Sequence, residues 1–143
     1  MTPSKKITVL LAEDNATVRE ALCALLKIEG HSEVIGQACD GREAVRMART
    51  LRPDVILMDI AMPVLNGLEA TRQIVAANSA ARVIILSAHN DDEYIGHLTA
   101  VGAMGFLEKQ SASEILTKAV CEVAKGKRFF GPGIAKRMAD GKK

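Results

Sequence analysis

The sequence predicts a single domain of the α/β class, in which five parallel strands form a doubly wound sheet between two layers of helices. Two patterns predict this three-layer α/β/α arrangement. Five short apolar runs of strand length alternate with longer segments that carry the spacing of amphipathic helices. The third and fourth runs, Val-Ile-Leu-Met and Val-Ile-Ile-Leu, are apolar on both faces, which is typical of parallel strands that helices cover on both sides.

The five predicted strands are rich in β-branched and large aliphatic residues. In chain order they cover residues 7–12, 33–38, 54–58, 82–86 and 104–107. Each predicted helix begins at a capping-box pattern, a polar residue followed three positions later by Glu. These pairs are Thr17/Glu20, Asp40/Glu43, Asn66/Glu69, Asn90/Glu93 and Ser111/Glu114. The first helix then carries Val18, Leu22 and Leu26 on one face and ends at Gly30.

Composition excludes several classes of protein. The 143 residues carry 19 basic and 17 acidic side chains, a formal charge of +2, so nothing in the overall charge favours nucleic-acid binding. The N-terminal apolar run 7–12 is too short for a signal-peptide core, and no apolar run approaches the roughly 18 residues of a membrane span, so the expected location is the cytoplasm. The three cysteines are odd in number and widely spaced, which fits a reducing compartment and predicts small buried residues at Cys23, Cys39 and Cys121.

The rhythm of strands and helices stops near residue 125. Glycines and Pro132 surround Phe129 and Phe130, and a short basic segment follows. The sequence therefore predicts a domain over residues 1–125 and a C-terminal extension or linker over residues 126–143.

Polar and charged residues come directly after four of the predicted strands. Ligands of open parallel α/β sheets bind beyond the carboxyl ends of the strands. In a flavodoxin-like strand order, 2-1-3-4-5, the first and third strands are neighbours, so three carboxylates would converge and repel one another unless a cation neutralises them. Oxygen ligands of this kind suit Mg²⁺. The residues concerned are Glu13, Asp14, Asp59, Ser87 and Lys109.

A phosphoryl group fits beside such a cation. Lys109 would supply a point charge opposite the carboxylates, the hydroxyl of Ser87 could donate to a phosphoryl oxygen, and Asp59 is the best placed nucleophile. Each residue also has an ordinary explanation on its own, such as a helix cap for Asp14 or a loop carboxylate for Asp59. Their joint occurrence at the selected strand ends favours the site.

These residues resemble the receiver domains of bacterial two-component response regulators, over residues 7 to about 125. The resemblance rests on Leu-Leu-Ala-Glu-Asp-Asn around Glu13, on Val-Ile-Leu-Met-Asp-Ile-Ala-Met-Pro followed by Asn-Gly around Asp59, on Ser87-Ala88, and on Gly-Phe-Leu-Glu-Lys ending at Lys109. It implies that Asp59 takes a phosphoryl group from a histidine kinase or a phosphotransfer protein. It also implies Mg²⁺ held by Glu13, Asp14, Asp59 and the carbonyl of Ala61.

The resemblance implies a switch and an output as well. Ser87 would move toward the phosphoryl group and Phe106 would turn inward, which repacks the surface of the predicted fourth helix, fifth strand and fifth helix. A homodimer through that surface is expected. The Gly-Phe-Leu-Glu-Lys segment and the tail look most like receivers joined to LuxR-type helix-turn-helix domains, so DNA would be bound only through an output domain that these 143 residues do not include.

Other functions remain open from the sequence. A stand-alone receiver could act through protein contacts alone. An aspartate-nucleophile phosphatase of the haloacid dehalogenase type would need a second Asp two residues beyond the nucleophile, where Ala61 stands. A flavin or nucleotide binder would need a phosphate-cradling loop after the first strand, where Glu13 and Asp14 would repel phosphate. A receiver that is never phosphorylated is the last alternative.

Overall fold

A computed structural model describes residues 6–87, 101–109 and 112–131. Its strands and helices, in chain order, are β1 (Ile7–Ala12), α1 (Ala16–Glu29), β2 (Ser32–Ala38), α2 (Gly41–Leu51), β3 (Val55–Asp59), α3 (Gly67–Ala77), β4 (Val83–Ser87), β5 (Gly105–Glu108), α4 (Ala112–Ala124) and β6 (Phe129–Phe130). The predicted fourth helix, from Asn90, lies outside the described residues, so α4 corresponds to the fifth helix of the sequence prediction.

All neighbouring strands of the sheet are parallel, in the order β2-β1-β3-β4-β5-β6. The predicted order of the first five strands is confirmed, and each predicted strand matches within one residue at either end. The sixth strand was not predicted. Phe129 and Phe130 pair with Gly105 and Phe106, so the first residues of the predicted extension complete the edge of the sheet.

Alternate residues of the strands bury against opposite layers of helices. Leu10, Ile56 and Ile85 pack on one face with residues of α2 and α3. Val9, Leu57 and Ile84 pack on the other face with residues of α1 and α4. Because both faces are covered, every residue of β3 and β4 is buried, which explains their continuous apolar sequence. Among the described residues, no helix is long and apolar enough to cross a membrane.

The helix starts differ from the predicted ones at α1. Asn15, not Thr17, is the N-cap, and its side chain accepts a hydrogen bond from the amide of Val18 at 3.1 Å. The predicted caps of α2 and α3 are confirmed, since Asp40 and Asn66 accept from the amides of Glu43 and Glu69.

The cysteines are free thiols, as the sequence predicts. Cys23 and Cys121 are half-buried. The prediction of a buried Cys39 is wrong, because this residue follows β2 in the loop before α2, and its side chain is exposed.

Candidate phosphoacceptor site

Four of the predicted site residues meet at the carboxyl edge of the sheet. Asp59 ends β3 and Ser87 ends β4, while Glu13 and Lys109 directly follow β1 and β5. The register brings them together, because Ala12 pairs with Met58, Asp59 with Leu86 and Ser87 with Glu108. Parallel strands that end level with one another therefore deliver two carboxylates, a hydroxyl and an ammonium group to one place.

Lys109 joins the two buried carboxylates. Its Nζ lies 3.0 Å from Oε1 of Glu13 and 3.1 Å from Oδ1 of Asp59. Burial by itself would lower the pKa of the ammonium group, but the hydrogen bond to Glu13 and the charge of Asp59 outweigh burial and raise the pKa. Lys109 therefore stays charged and opposes the repulsion between the carboxylates.

Asp59 is almost completely buried, with 1% of its surface exposed. Burial and the neighbouring charge of Glu13 raise the pKa of Asp59 to about 7, although Lys109 acts in the opposite direction. Its Oδ1 accepts from the amide of Ala61 at 3.3 Å, whereas its buried Oδ2 has no hydrogen-bond partner in the part of the chain that the structure describes. An unpartnered buried carboxylate oxygen is costly unless a ligand satisfies it.

The loop after β1 is fixed by Arg19, which the sequence analysis did not assign to the site. Nη1 of Arg19 donates to the backbone carbonyl of Glu13 at 2.7 Å, and Nε donates to the side chain of Gln37 at 3.2 Å. Oε2 of Glu13 accepts from the amide of Asn15 at 3.1 Å. The position of Arg19 in the first turn of α1, beside the end of β1, is the sequence signal that could have identified it.

The loop after β3 is held close to Asp59. A side chain at Gly67 would place its Cβ only 2.0 Å from the carbonyl oxygen of Asp59, so α3 can begin here only with glycine. The amide of Gly67 donates to the carbonyl of Ile60 at 2.8 Å, which closes the loop.

Glu13, Asp14 and Asp59 form an acidic cluster. Each offers a carboxylate oxygen, and these atoms all lie within 4.8 Å of one another. Asp14 is exposed, so one side of the cluster is open to water. The donor set contains only oxygen, combines carboxylates with access to water, and includes the unpartnered Oδ2 of Asp59. These features fit Mg²⁺, which keeps several of its waters and takes few protein ligands.

Ser87 lies on β4, the strand beside Asp59, and Phe106 lies on β5, the next strand of the sheet. Both are fully buried. The hydroxyl of Ser87 has no hydrogen-bond partner within the described ranges, and Phe106 pairs with Ile85, two residues before Ser87. Within the described ranges, the hydroxyl of Ser87 is thus a second buried polar atom without a partner at the same edge of the sheet as Oδ2 of Asp59.

The fold and this site match a known class of signalling domain. Residues 9–121 match the family model of the response regulator receiver domain, and the chain belongs to this family. Receiver domains of response regulators interact with histidine kinases and generally bind Mg²⁺ at an acidic pocket.

Individual relatives agree with this assignment. The chain is 40% identical over 132 residues to the transcriptional regulatory protein LiaR of Bacillus subtilis, with 92% of this chain and 63% of LiaR covered. It is 36% identical over 133 residues to the transcriptional regulatory protein DegU of Brevibacillus brevis, with 93% of this chain and 56% of DegU covered. The chain thus spans about three-fifths of the length of these curated relatives.

A solved structure is similar over nearly the whole chain. It is a LuxR-family two-component response regulator from Aurantimonas sp., with a TM-score of 0.90 and 30% identity. The match covers 96% of this chain and 99% of that one. The receiver domain of the response regulator NarL of Mycobacterium tuberculosis matches with a TM-score of 0.82 and 31% identity, covering 87% of this chain and 100% of that one.

Proposed function

We propose that Asp59 of this chain accepts a phosphoryl group from a sensor histidine kinase or a phosphotransfer protein. The observation that carries this proposal is the buried carboxylate of Asp59, which belongs to the acidic cluster and is held by Lys109. Its Oδ2 has no hydrogen-bond partner among the described residues. In the transfer, a carboxylate oxygen of Asp59 bonds to phosphorus while the bond from phosphorus to the donor nitrogen breaks. The product is an acyl phosphate.

Catalysis of this transfer needs alignment and neutralisation of charge, because the transition state is loose and its charge is spread over the phosphoryl oxygens. Lys109 holds a positive charge within 3.1 Å of the nucleophile. The hydroxyl of Ser87, which has no partner in the part of the chain that the structure describes, is available as a hydrogen-bond donor to a phosphoryl oxygen. Glu13, Asp14, Asp59 and the carbonyl of Ala61 would hold Mg²⁺, which when bound neutralises further negative charge of the phosphoryl group.

The proposal includes a switch of the surface next to the site. Recruitment of the Ser87 hydroxyl to the phosphoryl group would open space behind β4. Phe106, which is already buried, would turn further inward and fill this space. Because Phe106 lies in β5, whose following helix is α4, this movement would repack the surface formed by the predicted fourth helix, β5 and α4. A homodimer through this surface is part of the proposal.

The output is proposed to be regulation of transcription through a helix-turn-helix domain. The relatives LiaR and DegU are named as transcriptional regulatory proteins, and the chain spans only part of their length. Residues 126–143 would then begin a linker, whose first residues join the sheet as β6. A cytoplasmic location is also proposed, since three free thiols are suited to a reducing compartment.

The test is the intact mass of the protein after incubation with phosphoramidate and Mg²⁺. Native protein should gain the mass of one phosphoryl group, and the gain should disappear with a chelator or in Asp59→Asn. Asp40→Asn is the matched control, because Asn caps a helix as well as Asp does and the site is untouched. If native protein gained no phosphoryl group from phosphoramidate or from a panel of purified kinases, the proposal would be wrong.

A further inference from the structure

A groove runs between α2 and α3, away from the carboxylates. Two adjoining cavities of about 280 and 260 Å³ form it, and they share Val45 and Arg49 as lining residues. The nearly buried Ile56 and Ile74 form its floor, and the half-buried side chains of Val45 and Ala81 add apolar surface to its lining. We refer to this feature as the α2–α3 groove.

The rim of the α2–α3 groove on the α2 side is strongly basic. Four exposed arginines line the two cavities, at Arg42, Arg46, Arg49 and Arg52. Arg46 approaches Glu43 at 3.8 Å, whereas neither Arg49 nor Arg52 has an ion-pair or hydrogen-bond partner for its guanidinium among the described residues. No acidic side chain is among the residues that line the two cavities in the described ranges. The groove therefore concentrates positive charge beside an apolar floor.

The backbone of Arg52 has an unusual conformation at one end of the groove. Arg52 is the C-cap of α2 with φ of 47°, in the left-handed region that glycine normally occupies. An arginine at this position accepts a local conformational cost and places a charged side chain at one end of the groove. Glycine at this position could form the same C-cap without that conformational cost.

The cavity of about 280 Å³, which we call the lower cavity, lies at the opposite edge of the sheet from the phosphoacceptor site. Pro53 and Ile56 lie at the amino end of β3, and Ala81 precedes β4, whereas Asp59 and Ser87 are at the carboxyl ends. A ligand in the lower cavity would therefore lie away from Asp59 and would leave the phosphoacceptor site open.

We propose that the α2–α3 groove binds an acidic amphipathic helix of a partner protein. Apolar side chains of such a helix would enter the cavities, and its carboxylates would pair with Arg49 and Arg52. Since α2 has 11 residues and is about 16 Å long, the groove matches about three helical turns, the usual size of helix-in-groove recognition. Val45, Leu65 and Ala81, which line the cavities, are half-buried. A phosphate backbone would pair with the arginines but leave these apolar side chains in water, so shape and charge together favour the helix.

The test uses a synthetic peptide of about 16 residues, because isolated helices shorter than about 12–15 residues are only marginally stable in water. Leucines at the i, i+4, i+7 and i+11 positions form one face, and glutamates flank it. Its binding to the native chain is measured by fluorescence anisotropy. Saturable binding should weaken by about tenfold or more in Arg49→Glu/Arg52→Glu, because two attractive charges become repulsive. It should also weaken in Ala77→Trp, where the larger side chain enters the lower cavity.

Controls separate this groove from general attraction between charges. Lys118→Glu/Arg128→Glu makes the same change in net charge at exposed positions outside the groove and should bind like the native chain. A peptide with each leucine replaced by serine should bind about tenfold or more weakly, since it keeps the charge and loses the apolar face. Thermal melting confirms that every variant is folded.

Three results would overturn the proposal. These are no saturable binding of the leucine peptide, equal binding of the serine peptide, and equal competition by a single-stranded oligonucleotide, which would make the groove a general site for polyanions. The binding measurement does not need phosphorylation of Asp59. The result of the binding measurement is therefore independent of the proposed function.

Discussion

The two edges of the sheet differ in whether their polar groups are paired by hydrogen bonds within the described part of the chain. At the amino edge, the amide of Thr8 donates to the carboxylate of Asp54 at 2.8 Å, and the amide of Asp54 donates to the hydroxyl of Thr8 at 2.9 Å. At the carboxyl edge, Asp59 and Ser87 each keep a buried oxygen atom without a partner in the described part of the chain. At the amino edge, these polar groups of the chain satisfy one another. At the carboxyl edge, the two oxygen atoms are suited to accept hydrogen bonds from a bound ligand or to donate them to it.

The largest effect is expected from Lys109, which contacts both buried carboxylates. Lys109→Ala should slow phosphorylation of Asp59 by about 10²-fold or more, because it removes a charge that stabilises the transition state in a buried site. The measurement is the rate of mass gain with phosphoramidate. Lys118→Ala, an exposed lysine of α4, should react like the native protein; an unchanged rate in Lys109→Ala would remove this residue from the site.

A large effect on stability is expected from Asp59 itself when Mg²⁺ is removed by a chelator. Since burial and Glu13 raise the pKa of Asp59 to about 7, the folded state holds its proton more tightly than the unfolded state does. The free energy of unfolding should therefore fall as pH rises from about 4 through about 7, by on the order of 3 kcal/mol. Denaturant titrations across this range should show this fall in native protein and in Asp40→Asn, but not in Asp59→Asn.

A smaller effect is expected from Arg19, which holds the loop that carries Glu13 and Asp14. Arg19→Ala should weaken Mg²⁺ binding by about tenfold, because groups that orient metal ligands typically contribute this much to affinity. Isothermal titration with Mg²⁺ measures it. Arg72→Ala removes an exposed arginine that pairs with Glu69 on α3, and its Mg²⁺ affinity should not change.

The amino edge should respond in stability alone. Thr8→Val removes the hydroxyl that accepts from the amide of Asp54, which should cost about 1 kcal/mol in the free energy of unfolding. The rate of phosphorylation should stay the same. A slower rate at equal folded fraction would contradict the division between a structural edge and a functional one.

The cap of α1 offers the smallest test. Asn15→Ala should cost about 1 kcal/mol in the free energy of unfolding, because it removes the acceptor for the amide of Val18. Thr17→Ala should change stability very little, because Thr17 is exposed and lies inside the helix. Equal losses in the two variants would contradict the observed cap.

Periodicity and strand ends could be read from the sequence, while features that depend on tertiary contacts could not. The apolar runs predicted five strands within one residue, and the polar residues after them predicted where Glu13, Asp59 and Lys109 meet. The box pattern at Thr17 misplaced the start of α1, because the bond between the amide of Asn15 and Glu13 turns the chain into the helix earlier. The capping pattern uses only residues close in sequence, whereas the position of the Glu13 side chain depends on the buried site, so the pattern could not predict this bond.

The sequence analysis missed β6 and the role of Arg19 for the same reason, because both depend on tertiary contacts. The two residues of β6 are too few to show a periodic pattern, and β5 and the neighbouring core hold them in place. Arg19 has no distinctive local pattern either, since its role depends on the carbonyl of Glu13 and the side chain of Gln37. Sequence patterns thus predicted the groups that carry charge at the site, whereas the group that positions them required the structure.

The most direct test of the central claim is to locate the phosphoryl group within the chain. After reaction with phosphoramidate and Mg²⁺, borohydride reduces an acyl phosphate of aspartate to homoserine, and the position of homoserine is read by peptide mass spectrometry. The account predicts homoserine at position 59 alone. Homoserine at Asp14 or Asp40, or a stable phosphoryl group on a histidine, would contradict it.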